Sequence, residues 1–310
     1  MSPGPRHPHG AAWLAQAQRA GALATGVVYP CSHDALVGAL EARDAGLIDP
    51  LLIGPEAPIR ELAERAGLSL AECRFVDVME PVAAACAAAA LARDGDVAAL
   101  MKGSLHTDEL MGVVVSRDGG LRTARRISHV FAMDVPAHHR PLLVTDAAVN
   151  IAPNLAVKAD IVRNAVTVAH ALDIDVPKIA LLSAVETVNP ALPATEDAQV
   201  LMEMARRGEL GGAVIHGPLA FDNAISLEAA RIKGIDSPVA GEVDVLVVPG
   251  LEAGNILYKA LVYLADALAA GIVTGARVPI ILTSRADSAA SRKASAALAC
   301  LVARAAGTLR

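Results

Sequence analysis

The sequence predicts an α/β architecture with buried, parallel-rich sheets, and three observations carry that expectation. Short β-branched apolar runs end abruptly in Gly, Pro or polar clusters and alternate with helical patterns. That is the pattern of strands covered on both faces and joined by helices. Hydrophobic residues make up 54% of the chain but aromatics only 2%, so the core has to be built from closely packed Val, Leu, Ile and Ala. At 310 residues the chain suits two medium-sized domains.

Taken from the N-terminus, Met1–Gly10 is rich in Pro and His, lacks the apolar core of a signal peptide, and reads as a frayed leader. Metal binding by His7 and His9 carries little weight. Strands are expected at Val97–Met101, Pro141–Thr145, Lys178–Leu182, Ala213–Ile215, Val243–Val248 and Val278–Leu282. Helical patterns cover 33–46, 82–93, 156–172, 195–207, 223–233, 252–270 and 288–305. Residues 112–149 break the alternation. After a turn at Gly119-Gly120, the runs Ile127–Val135 and Pro141–Val149 flank the polar turn Pro136–Arg140, which predicts an antiparallel hairpin near a domain junction. No repeat or low-complexity linker marks the boundary. The expected division is one α/β domain from 1–140 plus 275–310 and a second from 141–274.

Composition narrows the function classes. A net charge of −6 with no basic tail argues against a nucleic-acid partner. Mean hydropathy is +0.44, which raises the question of a membrane. The longest unbroken apolar run, Val82 to Ala92, falls well short of the ~20 residues a spanning helix needs. Ile256 to Ala276 carries Lys259 and Asp266 and reads as a core helix, so no membrane partner is expected. Cys31, Cys73, Cys86 and Cys300 are scattered without metal-type spacing, which fits reduced thiols in a cytoplasm and no metal site.

Strand ends carry the unusual chemistry. In open parallel sheets, ligands bind beyond the carboxyl ends of the strands. At Pro279–Ser288 an apolar run stops at Ser284, Arg285, Asp287 and Ser288, and an alanine-rich helix follows. A helix start offers unpaired N–H donors and a positive dipole end, and Arg285 adds a planar fork suited to phosphate oxygens. A phosphate-handling enzyme is the first expectation. Lys102, Ser104, His106 and Thr107 form a second cluster of a cation, hydroxyls and an imidazole, with Gly103 allowing close backbone approach. Glu252 and Asn255 open another helix, where they either position substrate or cap. Arg117, Arg122, Arg125 and Arg126 form the main basic concentration.

These clusters, in this order, resemble the phosphate acetyl/butyryl transferase family. The matching stretches are Leu100–Thr107, Arg126–Phe131, Thr145–Asn150, Gly217–Asp222, Pro249–Asn255 and Thr283–Ser288, and the likeness runs from about Val27 to the C-terminus. Lys102–Met111 and Ser183–Thr187 are more similar to the butyryltransferase branch. The resemblance implies two α/β domains of isocitrate/isopropylmalate dehydrogenase type flanking a cleft, a homodimer, and reversible acyl transfer between coenzyme A and inorganic phosphate. It implies no metal and no tightly bound cofactor, with coenzyme A as a substrate and acyl-CoA, acyl phosphate and phosphate as partners. Ser284 and Arg285 match an active-site pair of the acetyltransferase branch, in which the Ser orients the thiol and the Arg holds phosphate. That branch places a general-base Asp where this chain has Ser291, and an Arg where it has Leu110–Val114, so neither role carries over.

Asp287 is the replacement candidate for the base, or else the N-cap of the following helix. Ser288 is a cap or a ligand contact. His106 polarises a carbonyl, binds phosphate or serves structure. Arg125 and Arg126 are candidates for the coenzyme A phosphates. The cysteines stand outside the strand-end clusters, which favours direct transfer in a ternary complex over an acyl-cysteine route. Two other classes remain open: an NAD-dependent hydroxy-acid dehydrogenase on the same fold, and a non-catalytic regulator that keeps the cleft. No G-x-G-x-x-G follows a strand.

Overall fold

Helix starts and stops follow local chemistry in a computed structural model that describes residues 6–282 and 287–307. Pro occupies the first turn of two helices, at Pro81 and Pro193, where its missing N–H costs nothing. Gly67 and Gly95 end two others in left-handed conformation. In chain order the elements are α1 (Pro8–Ala20), β1 (Leu23–Val28), α2 (His33–Asp44), β2 (Ile48–Gly54), α3 (Glu56–Ala66), β3 (Arg74–Asp77), α4 (Pro81–Asp94), β4 (Ala99–Lys102) and α5 (Thr107–Val115). They continue as β5 (Ser128–Asp134), β6 (Leu142–Thr145), α6 (Leu155–Ala171), β7 (Lys178–Leu182), α7 (Pro193–Arg206), β8 (Val214–Leu219), α8 (Phe221–Ile225) and α9 (Leu227–Ile232). The last are β9 (Val245–Val247), α10 (Leu251–Leu264), β10 (Leu268–Thr274), β11 (Ile280–Ile281) and α11 (Ala289–Ala305).

The chain forms two compact units. The first comprises Gly10–Arg125 and Ala270–Arg310. Its strands run in the order β3-β2-β1-β4-β11, all parallel, with β10 antiparallel beside β11. Alanines 84, 85, 88, 89 and 92 are all buried along α4. Their small side chains form the face through which this helix contacts β1 and β2. α11 is buried continuously from Ala294 to Val302 and on to Ala303, as a helix enclosed on every face must be.

The second unit comprises Arg126–Ala269 with the residues up to His9. Its sheet order is β5-β6-β9-β7-β8, parallel except for the β5–β6 hairpin, in which Val130 faces Thr145 and Met133 faces Leu142. The predicted hairpin is present, and its core side carries Phe131, Met133, Leu142 and Val144 together with Leu182, Leu219 and Leu246. The ring of Tyr258 on α10 stacks on Phe131 at 4.0 Å.

Four expectations need correction. Residues 252–270 are not one helix: α10 ends at Leu264, the chain turns at Asp266 (φ 54°), and β10 follows. Nor is α10 a core helix, since only Gly254 along it is fully buried. Ser226 splits the expected helix 223–233 by capping α9, its Oγ accepting from Ala229 N–H at 3.2 Å. The N-terminal decapeptide is not wholly frayed, because α1 begins at Pro8 and Gly10 is buried. The two units divide the chain at 125/126 and 269/270. Among the described residues, no helix is long and apolar enough to cross a membrane.

Candidate active site

In the first unit the candidate loop begins where β4 ends. Gly103 N–H donates to Val28 O and Ser104 N–H to Tyr29 O, both at 2.8 Å, which prolongs the pairing with β1 by two residues. A Cβ at Gly103 would lie 2.4 Å from Val28 O and 2.5 Å from Tyr29 O. Backbone oxygens cannot retreat as a flexible side chain can. Gly103→Ala is therefore expected to cost about 1–3 kcal/mol of stability, read as a lower urea midpoint; an unchanged midpoint would show that the two strand ends separate freely.

Beyond Gly103, Ser104 Oγ donates to Tyr29 O at 2.8 Å and accepts from Cys31 N–H at 3.1 Å. Its hydroxyl is thus committed to holding the loop. Lys102 Nζ folds back over the same loop, donating to Gly103 O (3.1 Å) and Leu105 O (3.3 Å). His106 and Thr107 are exposed at the start of α5, where His106 N–H donates to Glu109 Oε2 at 2.8 Å. Imidazole, hydroxyl and ammonium stand together at a parallel strand's carboxyl end, next to a helix N-terminus.

Cys31 lies in the loop after β1, a strand the sequence reading did not include, so this cysteine does belong to a strand-end cluster. Burial pushes its thiol up to about 11. At neutral pH the thiolate fraction is of the order of 10⁻⁴, which makes it a poor nucleophile.

β11 runs parallel to β4 with Ile281 level with Met101, so the chain leaves both strands at the same edge of the sheet. Ser284 and Arg285 lie outside the described residues. On the far side, Ser288 caps α11: its Oγ accepts from Ser291 N–H at 3.1 Å and donates to Ser291 Oγ at 3.2 Å. The cap expected of Asp287 therefore belongs to Ser288. The Asp287 backbone carbonyl accepts from Arg292 Nη1 at 2.8 Å.

In the second unit, the turn after β6 is organised by one buried carboxylate. Asp146 accepts from the N–H groups of Ala148, Val149 and Asn150 at 3.0–3.1 Å and from Asn150 Nδ2 at 2.5 Å. Asn150 is thereby held with its Oδ1 accepting from Arg126 Nε at 3.2 Å. Arg126 is fixed further by its backbone, N–H to Asp160 Oδ2 (2.9 Å) and O from Asn164 Nδ2 (2.9 Å). Arg125, in the first unit, is exposed, and its N–H donates to Thr123 Oγ1.

Gly250, not Glu252 or Asn255, is the N-cap residue of α10. Glu252 is exposed in the helix's first turn. Asn255 Nδ2 donates to Ala147 O at 3.3 Å, tying the helix to the Asp146 turn.

Sequence reasoning missed the ion pairs of two lysines. Lys233 Nζ meets Glu186 at 2.6 Å and Asp222 at 3.2 Å, and the Lys233 hydrogen bond holds the Glu186 carboxyl below its ordinary range. Lys158 Nζ meets Asp197 Oδ2 at 2.7 Å with the lysine side chain 7% exposed. The only signal in the sequence was a lysine amid the apolar positions of helix 156–172. Its acidic partner is 39 residues away.

Residues 77–300 match the family model described as Phosphate acetyl/butaryl transferase. The chain belongs to the phosphate acetyl/butyryl transferase family. Phosphate acetyltransferase of Rhizobium meliloti is 55% identical over 290 residues, 94% of this chain and 92% of that one. Phosphate butyryltransferase of Clostridium beijerinckii is 41% identical over 263 residues, covering 85% and 87%. A branched-chain phosphotransacylase from Enterococcus faecalis V583 superimposes with a TM-score of 0.79 at 31% identity, covering 91% of this chain and 99% of that one. Both acetyl and butyryl names occur among these relatives. The strand-end motifs that carried the resemblance are thus those of an acyltransferase family.

Proposed function

We propose that this chain transfers a short acyl group, butyryl or acetyl, reversibly between coenzyme A and orthophosphate, on a two-domain fold of isocitrate/isopropylmalate dehydrogenase type. The observation that supports the reading is the β4–β11 register: Ile281 stands level with Met101, so both strands end at one edge of the sheet, beside the Lys102–Thr107 loop.

In the direction of thioester synthesis, the sulfur of coenzyme A attacks the carbonyl carbon of an acyl phosphate within a ternary complex. The C–S bond forms, the bond from that carbon to the bridging phosphate oxygen breaks, and orthophosphate leaves. Asp287 takes the thiol proton, Ser284 orients the sulfur, and Arg285 neutralises charge on the departing phosphate. Lys102, His106 and Thr107 contact the acyl phosphate. Ser104 and Ser288 support that contact through the loop and the cap they hold. Glu252 and Asn255 are assigned to substrate positioning, and Arg125 and Arg126 to the coenzyme A phosphates. The mechanism requires no metal and no tightly bound cofactor. The raised Cys31 thiol favours direct transfer over an acyl-cysteine intermediate.

The four cysteines are free thiols, in keeping with a reducing cytoplasm. A homodimer accounts for the apolar surface of α10, where Ile256 is 69%, Tyr263 71% and Leu264 87% exposed. An Ile256→Glu/Leu264→Glu variant is expected to elute with the mass of one 31.7-kDa chain while the parent elutes with twice that mass in light-scattering chromatography. A monomeric parent would refute the dimer. The function itself is tested by orthophosphate-dependent release of free thiol from acetyl-, propionyl- and butyryl-CoA in parallel.

A further inference from the structure

In the second unit, the carboxyl ends of β7 and β9 and the N-termini of α6 and α7 line an open pocket of about 560 Å³. Pockets of this size, mostly apolar with a few convergent polar groups, commonly hold small molecules. Its walls include Pro153, Leu155, Leu192, Pro193 and Pro249, and the Lys158–Asp197 pair also lines it. Lys158 is more than nine-tenths buried. Among the described residues its ammonium has one hydrogen-bond partner, Asp197 Oδ2, although an ammonium carries three donors. Asp197 balances the Lys158 charge, and the ammonium keeps donor capacity for a second acceptor on the pocket side.

Two helix N-termini reinforce the same polarity. The Asn154 side chain caps α6 by accepting from Val157 N–H at 3.0 Å. α7 starts at Leu192, which supplies no side-chain cap, and Pro193. Its positive end is left facing the cavity that Leu192, Pro193 and Ala194 line. The walls ask for a hydrocarbon body and the Lys158 corner asks for a negative head.

We infer that this cavity binds an aliphatic chain ending in a single carboxylate or phosphoryl group, with the head on Lys158 and the chain against the prolines and leucines. The site is defined by binding alone and does not depend on the acyl-transfer reading.

Calorimetric titration of the full chain with hexanoate and with hexyl phosphate tests it, and the tighter of the two tells which head group the site prefers. Three variants accompany the parent. Lys158→Met removes the donor. Lys158→Met/Asp197→Leu removes the pair together, so that no lone buried carboxylate remains. Ala194→Leu narrows the cavity while leaving the ion pair in place. At least one probe is expected to bind the parent and to weaken tenfold or more in each variant that retains the parent's circular dichroism. Orthophosphate alone is expected to bind at least tenfold more weakly than hexyl phosphate. Failure of both probes to bind, equal affinity in parent and Ala194→Leu, or orthophosphate binding as tightly as hexyl phosphate would each overturn the site. Thiol release from acyl-CoA, measured on the same parent preparation, reports separately on the acyl-transfer proposal.

Discussion

Arg285→Ala is expected to lower orthophosphate-dependent cleavage of butyryl-CoA by a factor of about 10²–10³ with the protein still folded. That loss is what removing one preorganised donor to a developing oxyanion commonly costs, about 3–4 kcal/mol of transition-state stabilisation. The assignment rests on the position of Arg285 in the sequence, between a strand that leaves the sheet beside Lys102 and a helix capped by Ser288. Arg285→Lys separates charge from geometry. It keeps one positive charge but loses the planar fork that meets two phosphate oxygens, so its activity should fall between parent and alanine variant, with the Michaelis constant for phosphate raised. Full turnover in Arg285→Ala would move the phosphate site to the Lys102–Thr107 loop.

Asp146→Ala should be the most damaging substitution for stability, at about 3–5 kcal/mol. The carboxylate, 2% exposed, receives four hydrogen bonds from residues 148–150. Alanine leaves those donors without an acceptor, and the Asn150 N–H among them is buried. The damage then passes to Arg126, since Asn150 Oδ1 accepts from its guanidinium. Asp146→Asn keeps one acceptor oxygen and should cost less. If Arg126 meets a coenzyme A phosphate, the asparagine variant should raise the Michaelis constant for coenzyme A several-fold with little change in kcat. A melting temperature for Asp146→Ala within about 2 °C of the parent would mean that water replaces the carboxylate freely.

The parts of the fold visible in the sequence were those with sharp local signals. The expected helices 82–93 and 195–207 correspond to α4 and α7, and the apolar runs on either side of Pro136–Arg140 pair as a hairpin. The α10–β10 junction was missed because both elements share one apolar, alanine-rich stretch. The turn between them depends on Asp266 adopting positive φ, which a non-glycine residue rarely announces. β1 and β2 were missed as well, and with β1 went the context of Cys31.

The site divides in the same way. Polar residues that end an apolar strand stand out along the chain, so the loops after β4, β9 and β11 were legible. Which of those residues face a ligand was not legible. Ser104 and Ser288 use their hydroxyls on neighbouring backbone N–H groups, and Asn255 uses its amide on Ala147 O. Long-range pairs such as Lys158–Asp197 depend on how α6 and α7 pack, and no local pattern encodes that.

The most direct test of acyl transfer is to follow butyryl-CoA with and without orthophosphate, trapping acyl phosphate with hydroxylamine while free thiol is measured. The account predicts thiol release that requires phosphate and equals the hydroxamate formed, mole for mole. Thiol release without phosphate, or with phosphate but no hydroxamate, would identify a hydrolase and contradict it.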